Sequence, residues 1–463
     1  MLMTATPAIP QHVHLVGVGG AHMSAIARIL LSRGHEVSGS DQKVSAATVQ
    51  LEEQGLRFSL GHEANNVGDA ELVVYTIAAA QDNPELASAR RRAVDIITRA
   101  QMVARLLTGL KLIAVAGAHG KTTTSSLVAY LLKSSGMSPT YLVGGEALNL
   151  GSNADAGDGE WAVVEADEYG RAFLEYEPDI AIVTNVEADH LDYYGDYESL
   201  KAAFRQFIEK VKPDGQVLAA TGSEGLDEIL DQARPQAKIL RYGANGAATW
   251  KGSKLTAEGG RQTFRLMGEG EDYGLFSLTV PGTHMAWNAV GALAASIKAG
   301  VDVELTRSAL PHFRGARRRF ELIGEARGIS IYDDYAHHPT EVRVNIEAAR
   351  GRFPGRRLVV LFQPHTYSRT RYLLDEFLAC FQGVDSLYIL ETFAAREALS
   401  EGIDAAELAA MLTNPRATYL ASHELAVETL LNDLREGDVF FTMGAGDVNS
   451  VGPELLARLG GDA

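Results

Sequence analysis

A short glycine-rich loop, GAHGKTTT at residues 117–124, carries residue types that bind a nucleotide phosphate. It follows an apolar run and precedes a stretch of helical periodicity, so it is predicted to join a strand to a helix. Backbone N–H groups of such a loop, with the positive end of the helix, bind phosphate oxygens. Lys121 adds a positive charge, and the Thr122 hydroxyl can reach a Mg²⁺ ion. The spacing is that of a shortened GxxGKT loop, because Val115 stands where the longer consensus has its first glycine.

Carboxylates and a histidine follow the next two apolar runs of this region. Glu165 opens EADE directly after the run at 161–164, and His190 closes TNVEADH after the run at 180–183. Ligands of open α/β sheets bind at the carboxyl ends of the strands, and Mg²⁺ prefers oxygen ligands. We therefore predict a Mg²⁺ site beside the phosphates of ATP, formed by Thr122, Glu165 and His190. A solvated acidic loop is the alternative for either cluster taken alone.

A second glycine-rich turn, VGVGGAH, lies near the amino terminus. Gly17, Gly19 and Gly20 belong to or follow an apolar run predicted as a strand at 12–18. Asp41 lies at about the spacing at which dinucleotide-binding folds place a ribose-binding acidic residue, but His22 occupies the third glycine position of their GxGxxG pattern. The pattern favours a nucleotide that carries a diphosphate, and a redox dinucleotide is the alternative.

Basic residues also follow predicted strands in the last third of the chain. They lie in RRRF at 317–320, in DDYAHHP at 333–339 and in QPHTYSR at 363–369. Side chains at the carboxyl ends of parallel strands face the binding crevice, so these residues are candidates for binding an anionic group. A solvated arginine run, and histidines that merely begin a helix, are the alternatives.

Short apolar runs alternate with longer segments of helical period, which predicts parallel sheets with crossover helices. The predicted strands include 12–18, 111–116, 161–165, 180–184, 329–333, 358–363 and 439–443, and the predicted helices include 23–32, 125–133, 199–210, 287–299 and 340–350. We predict three α/β domains in series. They are a Rossmann-like N-terminal domain at 1–108, a P-loop-type central ATPase domain at 109–312 and a Rossmann-like C-terminal domain at 313–463.

Composition narrows the classes of partner. The 463 residues include 42 Lys and Arg against 59 Asp and Glu, a formal charge of −17, which opposes binding to nucleic-acid phosphates or anionic membranes. Cys380 is the only cysteine, so there is no intrachain disulfide and no cysteine-based zinc site. No apolar stretch reaches the roughly 18 residues of a spanning helix. We expect a cytoplasmic monomer or homodimer with small-molecule partners.

Taken together, these motifs resemble those of the Mur ligases, which build the peptide of the peptidoglycan precursor by ATP-driven amide formation. The resemblance covers nearly the whole chain and includes VGVGGAHMS, SGSD, EADE, DYAHHPTE and QPHTYSRT. The family's phosphate loop GTxGKT is matched at 117–122 apart from Ala118 in the threonine position. Its adenine-side pattern GxHNxxN is matched by Gly282, His284 and Asn288, with Met285 in the first asparagine position.

The resemblance implies a role for each candidate residue. The catalytic set is Lys121, Glu165, His190 and Arg319, where Arg319 is expected to reach the ATP phosphates. The ATP site is formed by Gly117, Ala118, His119, Gly120, Lys121, Thr122, Thr123, His284, Asn288, Arg319 and Asp334. The UDP-sugar site is formed by Gly17, Gly19, Gly20, His22, Ser40 and Asp41. The amino-acid site is formed by His337, His338, His365 and Arg369.

Within the family, the motifs are most similar to the branch that joins L-alanine to the lactyl carboxylate of UDP-N-acetylmuramic acid through an acyl phosphate. The alternative is the recycling branch, which attaches an L-alanyl-γ-D-glutamyl-diaminopimelate tripeptide to the same nucleotide sugar. Tyr169, directly after EADE, favours recycling, whereas PHTYSRT and DHLDYYGDY favour the alanine-adding branch. A polyglutamylating folate ligase would lack the glycine-rich first domain.

Two classes outside the family explain less of the chain. A P-loop motor or signalling NTPase accounts for GKTTT but leaves the first domain and the C-terminal basic residues without a role. A nicotinamide dehydrogenase accounts for the N-terminal turn but leaves GAHGKTTT without one. A ligase with substrates ATP, UDP-N-acetylmuramic acid and L-alanine, and with Mg²⁺ as the metal, uses all of these motifs.

Overall fold

Parallel sheets dominate the fold, and their strand ends carry the predicted sites. The computed structural model describes residues 8–461 apart from residues 78, 81, 245, 396 and 399–401. Within that part of the chain, three sheets follow one another in sequence. No helix among the described residues is both long and apolar enough to cross a membrane.

The N-terminal sheet is parallel, with strand order β3-β2-β1-β4-β5. Its strands are β1 (His12–Val16), β2 (Glu36–Asp41), β3 (Arg57–Leu60), β4 (Leu72–Tyr75) and β5 (Asp95–Thr98). Its helices are α1 (Ala21–Ser32), α2 (Ala46–Glu53), α3 (Pro84–Arg91) and α4 (Arg99–Leu106). The strand order reverses between β1 and β4, and ligands of open α/β sheets bind at such a switch point.

The central sheet has ten strands, with β6 between β10 and β9. The strands are β6 (Lys111–Ala116), β7 (Thr140–Ala147), β8 (Ser152–Asp155), β9 (Trp161–Glu165), β10 (Ile180–Val183), β11 (Gln216–Ala220), β12 (Lys238–Gly243), β13 (Trp250–Glu258), β14 (Arg261–Gly268) and β15 (Glu271–Leu278). The helices are α5 (Lys121–Ser134), α6 (Leu191–Tyr194), α7 (Tyr197–Glu209), α8 (Glu224–Gln232), α9 (Thr283–Lys298) and α10 (Val303–Ala309). Because β6 pairs in parallel with both β9 and β10, the phosphate loop and both carboxylate motifs leave the sheet side by side.

The C-terminal sheet has the order β16-β17-β21-β18-β19-β20, with β16 antiparallel at its edge. Its strands are β16 (Glu321–Ala326), β17 (Ile329–Asp334), β18 (Leu358–Phe362), β19 (Ser386–Leu390), β20 (Ala417–Leu420) and β21 (Val439–Met443). Its helices are α11 (Pro339–Arg352), α12 (Tyr367–Tyr372), α13 (Leu374–Cys380), α14 (Ala405–Met411), α15 (His423–Asp433) and α16 (Val451–Gly460). Apolar cores cover both faces of the sheet, as buried parallel sheets require. Cys380 is buried in one of them.

The chain groups into two compact units. The first comprises residues 1–254, 265–276 and 287–313, and the second comprises 255–264, 277–286 and 314–463. The N-terminal sheet and most of the central sheet therefore belong to one unit, and the C-terminal sheet belongs to the other. Each predicted domain range contains one sheet, and the boundaries at 108 and 312 stay a prediction.

Helices α1, α5, α7 and α9 begin two or four residues earlier than the sequence pattern indicates, and α1 and α5 show the reason. Helix α1 starts at Ala21 and α5 starts at Lys121, whereas the pattern predicts starts at 23 and 125. In both cases the first turn contains polar or glycine-adjacent residues, which hide the helical period. The consequence is functional, because Lys121 and Thr122 lie in the first turn of α5, where backbone N–H groups have no partner within the helix.

Removing a large aromatic side chain from the C-terminal core should destabilise the second unit. Phe441 is fully buried, stacks on Tyr332 with ring centroids 4.9 Å apart, and meets Phe320 edge-on at 4.9 Å. We expect Phe441→Ala to lower the free energy of unfolding by about 3–5 kcal/mol. Urea unfolding followed by tyrosine and tryptophan fluorescence measures this change. Phe441→Leu is the control and should cost less, and equal stability of Phe441→Ala and the wild type would contradict the packing.

Candidate functional site

The phosphate loop is held to the end of the neighbouring strand β10. The Thr184 hydroxyl donates to the His119 carbonyl at 2.6 Å, and the His119 N–H donates to the Asn185 side-chain oxygen at 2.9 Å. Gly117 and Gly120 have φ of 143° and 81°, which glycine adopts without strain. The loop conformation is therefore held by contacts within the protein.

Lys121 lies inside this loop. Its ammonium group donates to the Gly117 carbonyl at 2.6 Å and to both carboxylate oxygens of Glu168 at 2.9 and 2.8 Å. Burial lowers the pKa of Lys121, but Glu168, Asp167 and Glu165 outweigh that effect and raise it above its ordinary value. The side chain is therefore a fixed cation at the position where a phosphate would bind.

Two further residues predicted to bind ATP lie on helix α9. A Cβ atom on Gly120 would come within 2.5 Å of the Asn288 side-chain nitrogen, so Asn288 packs directly against the phosphate loop. His284, one turn earlier, belongs to the second unit, where its ring packs against Gly282. The positive φ at position 120 favours glycine, and a larger residue there would displace the Asn288 amide.

Two of the three residues predicted to bind the metal, Thr122 and Glu165, lie against two glycines of β7. Glu165, at the end of β9, accepts a hydrogen bond from the Gly144 N–H at 2.8 Å. Thr122, in the first turn of α5, is buried, and a Cβ atom on Gly145 would lie 3.4 Å from its methyl group. The structure thus brings Thr122 and Glu165 to the same strand, beside the phosphate loop.

His190 belongs to a second grouping that the sequence analysis found only in part. Ligand atoms of Glu168, Asp189 and His190 all lie within 4.8 Å of one another, in an arrangement that can hold a metal ion. Two carboxylates and one imidazole form a donor set rich in oxygen, which fits Mg²⁺. Glu168 lies in EADE and Asp189 lies in TNVEADH, two motifs found in the sequence. The sequence does not single them out from the other carboxylates of these motifs, because their proximity to His190 depends on the fold.

The N-terminal glycine turn is tied to the end of β2. The N–H groups of Gly17 and Val18 donate to the Ser40 carbonyl at 2.8 and 3.0 Å. The Gly19 N–H donates to the Asp41 carboxylate at 2.9 Å. Ser40 and Asp41 therefore shape the turn, at the switch point of the sheet, where helix α1 begins just after Gly20.

His22, in the first turn of α1, lies beside charged groups of the phosphate site. Burial lowers the pKa of His22 to about 4, Arg99 adds to this effect, and Glu165 and Asp167 oppose it. The imidazole is therefore neutral at physiological pH. Its Nε2 atom is buried without a hydrogen-bond partner among the described residues. The position predicted to contact the UDP-sugar thus also adjoins the carboxylates beside the ATP site.

An ion pair fixes this junction. Arg99, on α4, donates to the Asp167 carboxylate at 2.9 Å. Burial raises the pKa of Asp167, but Arg99, His22 and Lys121 outweigh it and lower the pKa to about 2. The Asn153 amide also donates to the Ala21 carbonyl at 2.6 Å. The N-terminal turn and the EADE segment therefore have a defined relative position.

The three adjacent arginines of the second unit have different environments. Arg317 is exposed and pairs with Glu321 at 3.2 Å. Arg318 binds the buried Asp333 at 3.0 Å and donates to the Gly444 carbonyl at 2.6 Å. Arg319 lies over the Tyr335 ring at 5.0 Å, with Glu341 3.8 Å away. Arg318 is thus a structural residue, whereas the guanidinium of Arg319, the residue predicted to bind ATP, has the looser environment.

Three of the four residues predicted to bind the amino acid lie together. The rings of His337 and His365 have centroids 5.8 Å apart, and the Arg369 guanidinium is 3.0 Å from His365 Nδ1. His338 instead caps helix α11, where its Nδ1 accepts the Thr340 N–H at 3.3 Å. The group of His337, His365 and Arg369 can bind a carboxylate, and His338 positions the helix that follows.

Asp334, another residue predicted to bind ATP, is buried at the end of β17. Its two oxygens accept the N–H groups of Phe320 and Ala336, each at 2.7 Å. Burial raises the pKa of Asp334 to about 7, against the opposing effect of Arg319 and these two hydrogen bonds. Asp334 therefore fixes the backbone at Phe320 and Ala336, the residues that directly follow Arg319 and Tyr335.

Three family models match successive parts of the chain. The Mur ligase family catalytic domain matches residues 12–110, the Mur ligase middle domain matches 115–296, and the Mur ligase glutamate ligase domain matches 318–446. The chain belongs to the Mur ligase family. Its members are ATP-dependent ligases, which accords with the phosphate loop and the carboxylates around it.

Individual relatives match over nearly the full length. The UDP-N-acetylmuramate--L-alanine ligase of Mycobacterium sp. (strain JLS) is 42% identical, over 98% of this chain and 97% of the relative. The solved UDP-N-acetylmuramate-alanine ligase of Thermotoga maritima is 28% identical with a TM-score of 0.83, and the match covers 96% of this chain and 98% of that one. A solved murein peptide ligase from Psychrobacter arcticus is 24% identical with a TM-score of 0.75. The match covers 98% of this chain and 100% of that one, so the two proteins share the fold.

The family and the three-domain α/β fold class expected from the sequence are thereby confirmed. The roles of individual site residues stay predictions. The structure brings together the phosphate loop, Glu165, Asn288 and His22 in the first unit, and His337, His365 and Arg369 in the second. Sequence reasoning missed Glu168, Asp189 and Arg99, whose proximity to the loop depends on the tertiary fold.

A methyl group on Gly144 should displace Glu165. The added Cβ atom would lie 2.5 Å from a carboxylate oxygen of Glu165, closer than van der Waals contact allows. We expect Gly144→Ala to fold but to lose about 10²-fold or more in turnover, a typical effect of misplacing a group at the reacting centre. Steady-state ATP turnover measures the loss. The neighbouring Gly145→Ala places its Cβ 3.4 Å from Thr122 and should be affected less, and the reverse order would contradict the geometry.

The buried Asp334 should make the second unit less stable at high pH. Its folded-state pKa is about 7 against an ordinary value of 3.8, so the folded state binds the proton more tightly. This stabilisation is full below about pH 4 and is lost as the pH rises towards and through 7. Denaturant unfolding between pH 5 and 8 measures it. Asp334→Asn should remove this pH dependence, and an unchanged profile in the variant would contradict the assignment.

Proposed function

We propose that this chain joins L-alanine to the lactyl carboxylate of UDP-N-acetylmuramic acid, using ATP and forming ADP and phosphate, in peptidoglycan precursor synthesis. Relatives named for this activity match almost the whole chain at 42% identity. The motifs of all three sheets have a role in such a reaction. We propose the cytoplasm, which supplies ATP and nucleotide sugars, as its compartment.

One observation carries the proposal: the phosphate loop and the N-terminal glycine turn, the two proposed nucleotide sites, lie in a single compact unit and adjoin the same carboxylates. The phosphate loop, Lys121 and Glu165 lie at the ends of adjacent central strands. The N-terminal turn reaches them through His22 and through the Arg99–Asp167 ion pair at 2.9 Å. A sugar nucleotide on the turn would therefore have its carboxylate close to the γ-phosphate on the loop, as phosphoryl transfer requires.

The first step of the proposed reaction is phosphoryl transfer. An oxygen of the lactyl carboxylate attacks the γ-phosphorus of ATP, and the bond between this phosphorus and the β–γ bridging oxygen breaks. The products are ADP and an acyl phosphate. The fixed ammonium of Lys121 and the loop N–H groups stabilise the negative charge on the phosphates. These groups are already in place, so little reorganisation is needed.

Mg²⁺ is the metal we propose for the carboxylate site. Glu168, Asp189 and His190 have the donor chemistry and spacing to hold it, and Thr122 with Glu165 offers further oxygens beside the loop. When bound, Mg²⁺ neutralises charge on the phosphate oxygens. Lys121 of the phosphate loop pairs with Glu168, so this ion pair connects the loop to the proposed metal ligands.

The second step is amide formation. The amine of L-alanine attacks the acyl carbon and loses a proton to solvent, and phosphate leaves with the oxygen that came from the carboxylate. We propose that His337, His365 and Arg369 bind the carboxylate of L-alanine. Arg369 provides the permanent positive charge that such a contact needs. Its guanidinium lies 3.0 Å from His365 Nδ1, which holds it in position.

Phosphate release tests this function against the recycling alternative. Purified protein with ATP, Mg²⁺ and UDP-N-acetylmuramic acid should release phosphate when L-alanine is added. The comparison uses L-serine, glycine and the L-alanyl-γ-D-glutamyl-diaminopimelate tripeptide in place of L-alanine. Release that depends on the tripeptide alone would favour recycling, and release independent of the uridine nucleotide would contradict both activities.

Loss of the Lys121 charge should stop phosphoryl transfer and leave the sugar nucleotide bound. We expect Lys121→Ala to lower kcat by about 10³-fold, the size of effect seen when a transition-state charge partner is removed. Binding of UDP-N-acetylmuramic acid should change by less than about twofold, because the turn that binds it is separate from the loop. Calorimetry and ATP turnover measure the two quantities.

Lys133 provides the matched control for this variant. It lies on the same helix α5, but it is exposed and pairs with Asp155 at 2.7 Å. Lys133→Ala should keep wild-type turnover, since exposed ion pairs contribute little. Full activity in Lys121→Ala, or loss of sugar-nucleotide binding in a folded Lys121→Ala protein, would contradict the assignment of the two sites.

A further inference from the structure

A row of buried polar side chains runs along one face of the N-terminal sheet. His12 and His14 on β1, and Ser38 and Ser40 on β2, point to the same face because side chains alternate along a strand. The Ser38 hydroxyl lies 3.0 Å from His12 Nε2 and 2.9 Å from His14 Nδ1. The row leads from the amino ends of the strands to their carboxyl ends, where the glycine turn lies.

Glu85 occupies the carboxyl end of this row. One carboxylate oxygen accepts the Ser40 hydroxyl at 2.8 Å and lies 2.9 Å from His62 Nδ1. The other accepts the Asn66 amide at 2.8 Å and lies 3.4 Å from His14 Nε2. Glu85 therefore contacts four polar groups from four different segments, while its own side chain is 0% exposed.

A buried carboxylate is costly unless hydrogen bonds satisfy it, and this one is satisfied. Burial raises the pKa of Glu85, but hydrogen bonds from His14, Asn66 and Ser40 outweigh it and leave the pKa below its ordinary value. The group is thus a buried anion at neutral pH. The hydrogen bonds hold the Glu85 carboxylate in place, and the same bonds hold the side chains of its partners.

Two of these partners border the predicted sugar-nucleotide site. Ser40 accepts the N–H groups of Gly17 and Val18 through its carbonyl and binds Glu85 through its hydroxyl. His62 follows Gly61, whose N–H donates to the Asp41 carbonyl at 2.7 Å. His62 is 17% exposed, unlike Glu85. Glu85 therefore reaches this edge of the sheet through the side chains of Ser40 and His62, and Asn66 supports the same segment by donating to the Gly61 carbonyl at 3.1 Å.

We infer that Glu85 is a positioning residue for the sugar-nucleotide substrate, which fixes the Ser40 and His62 side chains beside the glycine turn without touching the ligand itself. This inference rests on the proposed function, because it assumes that UDP-N-acetylmuramic acid binds at the turn. It adds to that function a determinant of affinity in a helix that carries none of the predicted site residues. Neutralising Glu85 should weaken binding of the sugar nucleotide and leave the ATP site unchanged.

The experiment compares Glu85→Gln with the wild type in the full chain. The amide has one acceptor oxygen in place of two and so cannot satisfy both Ser40 and His62 together with Asn66 and His14. We expect the Kd and KM for UDP-N-acetylmuramic acid to rise about 10-fold, the effect of losing one or two hydrogen bonds to a charged group. The KM for ATP and kcat should stay within about twofold. A purely structural role would change kcat and both KM values together, and that result would overturn the inference.

Ser38 and Ser40 provide a matched pair that does not depend on the folding of Glu85→Gln. Both are buried on the same face of β2, but only Ser40 binds Glu85. Ser40→Ala should weaken sugar-nucleotide binding several-fold, whereas Ser38→Ala should keep wild-type affinity. Equal effects of the two substitutions would overturn the inference. Absence of UDP-N-acetylmuramic acid binding to the wild type would overturn the proposed function, and this inference with it.

Discussion

The ammonium group of Lys121 is the contact on which the central site depends. It lies among Glu168, Asp167 and Glu165 and bonds to the backbone of its own loop, so one cation joins the phosphate loop to the EADE segment. Like charges packed this closely would repel without it. ATP would bring negative charge to the same cation. The carboxylates then require a divalent ion as their new partner, so nucleotide and metal binding are expected to be coupled.

The first two sheets are connected through charge as well as packing. Arg99 binds Asp167 at 2.9 Å, and His22 lies between the glycine turn and the same carboxylates. The neutral state of His22, with its pKa of about 4, means that it adds no third cation beside Arg99 and Lys121. The histidine occupies the position where the Mur ligase motif has glycine. This substitution therefore places a larger, uncharged donor or acceptor between the two nucleotide sites.

Strand ends were predictable from sequence, and long-range partners were not. The apolar runs before GAHGKT, EADE and TNVEADH place those motifs at the carboxyl edge of a parallel sheet, which the pairing of β6 with β9 and β10 bears out. Glu85, His62 and Arg99 carry no local pattern, because their roles arise from contacts with segments distant in the chain. Adjacent residues also differ in role, as Arg318 and Arg319 do, because Arg318 pairs with the buried Asp333 and Arg319 lies over the Tyr335 ring.

Oxygen transfer from carboxylate to phosphate tests the central claim most directly. UDP-N-acetylmuramic acid labelled with ¹⁸O in the lactyl carboxylate is incubated with the protein, ATP, Mg²⁺ and L-alanine, and the released phosphate is analysed by mass spectrometry. Because the carboxylate oxygen that attacks phosphorus stays with it when the amine displaces phosphate, the account predicts one ¹⁸O atom in each phosphate formed. Unlabelled phosphate would contradict activation of the carboxylate as an acyl phosphate.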